Sequence, residues 1–429
     1  MEVSFKTLKS CSSRVTLPME LILSSILPKL PVKSVQRFKC VSKSFLAEIT
    51  SPEFNALFTE ANHRLLIIPG DDETLDIYEL DSLHSPPMLC PYPVPSKQFE
   101  SRPMKVEACC ESYLLIGRRF TDVDVLILFN PTTRIYRVLP KVYGDIYADY
   151  RHYGMCHCLD DDFNDDFKIV RLIQTYRRSK PIIKREVFVC SLSTNLWKSI
   201  ELTKTMEQLR GYPVLVQNHL LVMTFYDASR DSHLTRIGCF DMKAERWSND
   251  VLLPDILLSE IESNSTQQYH RDVYQLGVLE GQLRFSCYNV NKSSYSIWVM
   301  KEYGVKESWV KLMSAPGKDL EDVRRPIAYR QGSSDELLCI PNYSGQYKWY
   351  NLRDKRFTEM VYDIYAQHSY AWICKGSLLN FPGGQPIRSS SKKQVDVYDD
   401  DDSDDSDDDD SDDSDDNNYY DAGEEKEYY

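Results

Sequence analysis

The sequence lacks the features that mark several large classes of protein. No run of 18 or more apolar residues occurs, so we expect no membrane-spanning helix. The first residues, MEVSFKTLKSCSSRVT, contain no apolar signal core and no small-residue cleavage site, so we expect a cytosolic or nuclear protein. The enzyme motifs GxGxxG, GxxxxGKS/T, HExxH and GxSxG are absent. These absences favour a protein without catalytic activity of its own.

Paired metal-binding cysteine loops are lacking too, although the chain contains 12 cysteines. Most of them lie in apolar runs such as VFVCSL, where we interpret them as small buried hydrophobic residues. In the group His152, Cys156, His157 and Cys158, strand alternation would place the two cysteines on one face and His157 on the other. The acidic run Asp160–Phe167 lacks the Gly and Glu of a calcium loop. We therefore expect no metal and no other cofactor.

The charge of the chain is unevenly distributed. The net charge is -14, but residues 394–429 contain 19 acids and one base, which leaves about four excess bases in the rest of the chain. Such a tail cannot bury apolar surface and should be disordered. It is either a solubilising appendage or an electrostatic guide for a basic partner. The body is only slightly basic and has no aromatic and arginine platform, so we expect no nucleic-acid binding.

Residues 17–58 have the pattern of three short helices. Pro18 suits a first helical turn, and Pro28 should end that helix. The second helix should begin near Pro31, and the motif SPEF should end the third. The apolar faces would contain Leu21, Ile22 and Ile26 in the first helix, Val32, Val35, Phe38 and Val41 in the second, and Phe45, Leu46 and Ile49 in the third. So small a bundle buries too little apolar surface to be robust alone, which indicates either an internal core or a partner-binding surface.

From residue 63 the pattern changes to short strands separated by polar turns. A unit recurs in which a strand, a polar turn and an aromatic residue follow one another, as in LFNPTTRIYRVLP and VCSLSTNLWKSI. The aromatic residues recur every 48 to 62 positions: Tyr136, Trp197, Trp247, Trp309 and Phe357. This period allows about four strands per unit and predicts an all-β, propeller-like domain of about six blades. We interpret the aromatic residues as packing anchors of each blade.

The helical region and the β region each resemble a known family. The stretch LPMELILSSILPKLPVKSVQRFKCVSKSF resembles an F-box, although Val35 stands where Leu is usual and Phe45 where many members have Trp. The runs NPTTRIYRVLP, REVFVCSLSTNLWKSI and IGCFDMKAERWS resemble the F-box-associated domain of plant F-box proteins. The phrase WVMKEYGVKESWVKL is similar to the S-locus F-box subgroup. The implied organisation is α+β and multidomain: a flexible 1–14, a three-helix F-box at 15–58, a propeller-like domain at 62–390 and a disordered acidic tail at 394–429.

The resemblance implies a substrate-recognition subunit of a Skp–cullin–F-box ubiquitin ligase. An F-box docks onto the Skp adaptor and through it onto the cullin, while the β domain holds a protein substrate. The implied adaptor contacts are Leu17, Pro18, Leu21, Ile22, Leu27, Leu30, Pro31, Val32 and Val35. Lys33, Arg37 and Lys39 would form a solvated face. The subgroup implies a basic stylar ribonuclease as substrate, in pollen recognition during self-incompatibility.

Three alternatives remain open. The substrate is a defence or signalling protein, the chain is an assembly scaffold without ubiquitin transfer, or it is a propeller enzyme with a helical head. A propeller enzyme would require a pocket in which polar groups converge. Substrate contacts are expected in loops near 92–104, 143–150, 175–185, 228–234 and 316–332.

Overall fold

The computed structural model describes residues 17–387, apart from gaps at 62, 71–73, 94–103, 120–122, 144–147, 160–164, 178–179, 202–213, 218, 225–235, 263–273, 290–291, 317–324, 341–344, 367–370 and 379–380. Residues 1–387 belong to one compact unit and residues 388–429 to a second. The predicted flexible segment 1–14 and the predicted disordered tail 394–429 both lie outside the described residues.

The N-terminal region is helical, and it contains one more helix than the sequence suggested. Its elements are α1 (Met19–Leu21), a π turn (Ile22–Ile26), a 3-10 turn (Leu27–Lys29), α2 (Val32–Phe38), α3 (Lys43–Ile49) and α4 (Pro52–Glu60). The prediction that SPEF only ends the third helix was wrong, because this motif begins α4. Pro52 occupies the first turn of α4, and the Ser51 side chain accepts a hydrogen bond from the Phe54 N–H at 3.1 Å.

Prolines and serines set the boundaries of these helices. Pro18 and Pro31 directly precede α1 and α2, and Pro28 lies in the 3-10 turn that ends the first helical segment. The Ser42 side chain caps α3 by accepting a hydrogen bond from the Phe45 N–H at 3.1 Å. The prediction for Val41 was wrong: it follows the end of α2 and is exposed, since the helical periodicity stops before it.

All other described regular structure is β-sheet, except for short 3-10 turns and the helix α5 (Asp255–Glu262). None of the helices in the described part of the chain is long and apolar enough to cross a membrane. The strands form six antiparallel sheets. In chain order they are β1 (Arg64–Pro69), β2 (Thr74–Glu79), β3 (Met88–Pro91), β4 (Lys105–Cys110), β5 (Tyr113–Arg119), β6 (Val123–Asn130), β7 (Ile135–Val138), β8 (Val142–Tyr143), β9 (Ala148–Leu159), β10 (Asp165–Arg177), β11 (Lys180–Ser191), β12 (Leu196–Ile200), β13 (Val214–Val216), β14 (His219–Thr224), β15 (Arg236–Asp241), β16 (Arg246–Val251), β17 (Tyr274–Leu279), β18 (Gln282–Asn289), β19 (Ser294–Met300), β20 (Trp309–Pro316), β21 (Arg325–Tyr329), β22 (Glu336–Ile340), β23 (Gly345–Asn351), β24 (Arg356–Ala366), β25 (Trp372–Lys375) and β26 (Gln385–Pro386).

The sheets follow one another around a ring. Five have four strands, in the orders β25-β1-β2-β3, β9-β10-β11-β12, β13-β14-β15-β16, β17-β18-β19-β20 and β21-β22-β23-β24. The sixth contains β4 to β7 and is enlarged by β8 and β26. The first strands of neighbouring sheets contact one another in the order β25, β4, β9, β13, β17, β21 and back to β25. The all-β, propeller-like prediction is therefore confirmed. Five of the six sheets are regular four-stranded blades, whereas the prediction was about six such blades.

A repeated turn joins the last two strands of each of four sheets. The residue that begins the turn is Asn130, Ser191, Asp241 or Asn351, and its side-chain oxygen accepts hydrogen bonds from backbone N–H groups two or three residues later. The turn ends on a residue with positive φ: Arg134, Asn195, Glu245 or Lys355. The aromatic residue of the sequence repeat follows two positions later, in the outer strand.

These aromatic residues have packing roles, as the sequence predicted, and two of them contact the neighbouring blade. The Trp197 indole N–H donates to the Pro140 carbonyl, and the Trp309 indole N–H donates to the Leu252 carbonyl, each at 3.0 Å. Both acceptors follow the outer strand of the preceding sheet, so each indole ties one blade to its neighbour. Trp247 instead packs edge-on against Phe240 of its own sheet, with ring centroids 5.2 Å apart.

Candidate functional site

The helices share one hydrophobic core with the first sheets. Leu27, Val32 and Val35 are at most 1% exposed. They belong to a single cluster that also contains Ile49, Phe54 and Phe58 of the helices and residues of β1, β2, β5 and β6. At this junction a Cβ added to Gly376 would lie 3.1 to 3.4 Å from side-chain atoms of His63, Val32 and Phe58. The β region therefore supplies core that the small helical bundle could not supply for itself.

Polar contacts fasten the same junction. The Val32 N–H at the start of α2 donates to the Glu79 carboxylate at 2.7 Å, and the Gln36 side-chain amide donates to the Thr132 carbonyl at 2.8 Å. The buried Asn55 side chain accepts a hydrogen bond from the Leu378 N–H at 2.8 Å. All these partners lie at the end of the ring that carries the repeated turns. We call this end the helix side, and the opposite end the far side.

Glu79 is the electrostatically unusual group at the junction. Burial raises the pKa of its carboxyl above the ordinary value, while the hydrogen bond from Val32 and the nearby His63 act in the opposite direction. The carboxylate satisfies an N–H group at the start of α2, which has no partner within that helix. Glu79 therefore stabilises α2 from the β region, at the cost of burying a carboxyl group.

A cavity of about 630 Å³ lies beside this junction, and several of its polar groups bond to one another or to the backbone. His63 is 2.7 Å from the Pro28 carbonyl, and Glu79 accepts from Val32. The Arg64 guanidinium pairs with Asp81 and Glu280 at 2.7 and 2.9 Å. These groups join structural elements and do not converge on a free space. The cavity therefore does not favour the enzyme alternative.

The outer surface of the helices carries several exposed apolar side chains among its polar residues. The large apolar side chains that are 36% to 61% exposed in this region are Leu17, Met19, Leu21, Ile26, Val41 and Leu46. Only seven others of this kind occur among the described residues, and all of them lie beyond residue 88. The helical region is thus the part of the described chain with the highest density of exposed apolar side chains, which is typical of a protein-binding surface. We call these six residues the helix surface.

The nine predicted adaptor contacts divide into three groups. Leu17, Pro18, Leu21 and Pro31 are exposed, and Ile22 and Leu30 are partly buried. Leu27, Val32 and Val35 are buried against the β region in this structure. The sequence pattern identified them as apolar without indicating that another part of the same chain covers them.

Sequence reasoning did not select Met19, Ile26, Val41 or Leu46 as contacts. Val41 and Leu46 are exposed because they lie after α2 and on the outward face of α3. The sequence did contain a pattern that could have identified Met19 and Ile26. Seven positions separate them, and that spacing places two side chains on one face of a helix. Of the predicted basic face, Lys33 and Arg37 are exposed, whereas burial lowers the pKa of Lys39.

The other candidate sites gain no support. Cys156 and Cys158 are buried on one face of β9, and the His157 ring stacks on Phe167 with centroids 4.8 Å apart. In the described ranges no group of three or more His, Cys, Asp or Glu residues could hold a metal ion. Residues 160–164 of the acidic run lie outside the described residues, as do most of the predicted substrate loops.

Comparison with known proteins places the β region in a family. Residues 93–374 match the family described as F-box associated beta propeller domain. The chain is 28% identical over 410 residues to F-box protein CPR1 of Arabidopsis thaliana, covering 85% of this chain and 91% of that protein. It is also 28% identical over 398 residues to F-box protein At4g22390 of the same plant, covering 87% of this chain and 92% of the relative.

Solved structures add little to this comparison. The propeller domain of the Trilobed protease from Pyrococcus furiosus is 12% identical, with 61% of this chain and 72% of that chain covered. The TM-score is 0.33, which is too low to support an argument about fold or function.

Proposed function

Because the chain belongs to the F-box associated beta propeller family, we propose that it is the substrate-recognition subunit of a Skp–cullin–F-box ubiquitin ligase. The helical region is its F-box and docks onto the Skp adaptor. The propeller-like region holds a protein substrate, and the partners carry out ubiquitin transfer. This chain then acts by raising the effective concentration of substrate lysines near the conjugating enzyme. Its proposed location is the cytosol or nucleus.

One observation supports this proposal above the others: the helix surface is apolar and exposed although the β region covers the opposite face of the same helices. A bundle that needed only its own core would have no reason to keep six large apolar side chains in water. The relatives named above are F-box proteins, and the chain aligns with most of their length, which supports the same interpretation.

Leu21→Asp tests the docking surface. Leu21 is 43% exposed, so the change should leave the fold intact while placing a charge in the interface. We expect the affinity of the full chain for a plant Skp adaptor to fall about tenfold or more, since an unpaired interfacial charge costs over 1 kcal/mol. Binding is measured by calorimetry, with the melting temperature as a check on folding.

Leu196→Asp is the matched control, because Leu196 is 70% exposed on β12, outside the helices. It should change the affinity less than twofold. If the wild-type chain did not bind the adaptor at micromolar concentration, the ligase assignment would be wrong. If both variants bound equally well, docking would use another surface.

The substrate is a separate question. The phrases shared with the S-locus subgroup favour a stylar ribonuclease, whereas the named relatives support only a plant F-box protein of unstated substrate. A defence or signalling protein, or a scaffold role without ubiquitin transfer, are the competing proposals. Reconstituted ubiquitination of a bound ribonuclease by the assembled ligase separates them, and co-purification with adaptor but not cullin would favour the scaffold.

A further inference from the structure

Two neighbouring sheets meet at a pair of cysteines. Cys374 lies in β25, the strand that completes the first sheet, and Cys109 lies in β4, the first strand of the next sheet. The two strands contact one another, and the Lys375 N–H donates to the Glu111 carbonyl at 2.7 Å. We call this contact the β25–β4 joint. It brings together two cysteines that are far apart in the chain.

The two thiol groups are in contact across the joint. The Cys109 thiol donates to the carbonyl of Ile373, the residue before Cys374, at 3.3 Å. A hydrogen bond with the Cys374 thiol, together with burial, raises the pKa of the Cys109 thiol well above its ordinary value. Both cysteines are free in this structure. Because the sulfur atoms already lie within hydrogen-bonding range, a bond of about 2 Å between them requires side-chain rotation more than movement of the strands.

The position of this pair in the chain makes a bond between the two thiols consequential. Another pair of contacting thiols, Cys156 and Cys158, lies within the single strand β9. A bond there would close almost no loop and would constrain the unfolded chain little. A bond between Cys109 and Cys374 instead closes a loop that runs from the second sheet around the ring to the first. Such a loop loses much conformational entropy in the unfolded chain.

The joint lies at the helix side of the ring. Directly after β25, the Gly376 N–H donates to the His63 carbonyl at 2.8 Å. Cys374 belongs to the hydrophobic cluster that the helices share with the first sheets, and Cys109 packs against that cluster. The attachment of β25 therefore maintains both the closed ring and the surface on which the helices pack.

We propose that Cys109 and Cys374 are a cross-linking site: glutathione disulfide, or another small disulfide, oxidises the two thiols to a disulfide that closes the ring covalently. In the reduced chain, hydrogen bonds and packing hold β25 in place, and in the oxidised chain a covalent bond holds it as well. The inference goes beyond the proposed function and does not depend on it, because both cysteines lie in the β region.

The reaction takes place in two exchange steps. Cys109 is the more accessible residue, and its thiolate attacks glutathione disulfide, so that one glutathione becomes bonded to Cys109 and the other leaves as a thiolate. The Cys374 thiolate then attacks the Cys109 sulfur and displaces the second glutathione. The protein loses two electrons and two protons, which glutathione disulfide takes up as it becomes two thiols. Because the raised pKa leaves little Cys109 as thiolate at neutral pH, the first step is slow there.

The test equilibrates the full chain at pH 8 with mixtures of reduced and oxidised glutathione, traps free thiols by alkylation and identifies linked peptides by mass spectrometry. We expect a peptide that joins Cys109 to Cys374, in a fraction that rises with the share of oxidised glutathione. The oxidised chain should melt at least about 5 °C above the reduced chain, because the closed loop is long. Dithiothreitol should reverse both changes.

Cys109→Ser should abolish the linked peptide and the difference in melting temperature between oxidised and reduced samples. The matched control Cys110→Ser removes a partly exposed thiol at the next position of the same strand and should keep both. Each variant is compared with its own reduced form, so a general loss of stability does not affect the result. Absence of the linked peptide under the most oxidising mixture would overturn the inference. A rise in melting temperature that Cys109→Ser retained, or a linked peptide without any rise, would also overturn it.

Discussion

Single polar groups at the junction decide how firmly the helices are held. Asn55, Gln36 and Glu79 each make a side-chain hydrogen bond to a backbone group across the junction between helices and β region, 2.7 to 2.8 Å long. Their partners are backbone groups that would otherwise be left without a hydrogen bond at a buried interface. Leaving such a group unsatisfied costs about 1–3 kcal/mol. The summed free energy of three such hydrogen bonds is therefore a sizeable part of the free energy of unfolding of a small domain.

Glu79→Gln tests the buried carboxyl. Gln keeps the oxygen that accepts from Val32 but carries no charge. Because burial raises the folded-state pKa of Glu79, the stability linked to its protonation is present below the ordinary pKa of about 4.3 and is lost as pH rises through the raised value. We therefore expect the free energy of unfolding of Glu79→Gln to be higher than that of the wild type at neutral pH. This difference should shrink as pH falls.

Urea unfolding at several pH values measures this difference. Glu48→Gln, at an exposed position outside the junction, serves as the control for the chemical change itself. A difference for Glu79→Gln that widened toward acid pH would contradict the assignment of burial as the dominant cause.

The repeated turn is the element that gives the blades their common form. Its first residue has a short oxygen-bearing side chain that bonds the backbone of the turn itself, and its last residue has positive φ. The aromatic residue then lies in the outer strand, where it packs between blades or against its own sheet. The sequence pattern therefore repeats because each turn requires the same local hydrogen bonds.

Asn351→Ala should weaken one of these turns. The Asn351 oxygen accepts from the Arg353 and Asp354 N–H groups, each at 2.9 Å. Their loss in a partly exposed turn should lower the free energy of unfolding by about 1 kcal/mol. Asn351→Asp keeps the acceptor oxygen, and its free energy of unfolding should stay within a few tenths of a kcal/mol of the wild-type value. Equal destabilisation by the two substitutions would show that the side-chain amide, rather than its oxygen, matters.

At the scale of the whole molecule, the ring is closed by residues distant in sequence. The first sheet takes β1, β2 and β3 from residues 64–91 and its remaining strand, β25, from residues 372–375. In β25, Ile373 pairs with Leu66 and Cys374 with Leu65. The helices pack on this same sheet, so closure of the ring and attachment of the helices depend on one another.

A pair of truncations tests this dependence. Ending the chain at Ile387 keeps β25 and β26, and the melting temperature should stay close to that of the full chain. Ending it at Ala371 removes β25 and exposes one edge of β1, together with the apolar cluster around Cys374. We expect this shorter chain to lose its cooperative unfolding transition and to aggregate. A normal transition in the shorter chain would show that the ring does not need its C-terminal strand.

The sequence alone determined the short-range features of this protein: the change from helices to strands, the repeated turn and its aromatic residue, and the positions of Pro18 and Pro31 at helix starts. These features depend on backbone geometry and side-chain periodicity within a few residues. Only the tertiary structure decided that β25 closes the first sheet, that Asn55 accepts a hydrogen bond from a residue 323 positions away, and that Leu27, Val32 and Val35 face the β region while Leu17 and Leu21 face water. An apolar residue in a helix must be covered, but its own sequence does not state whether another part of the chain or a second protein covers it.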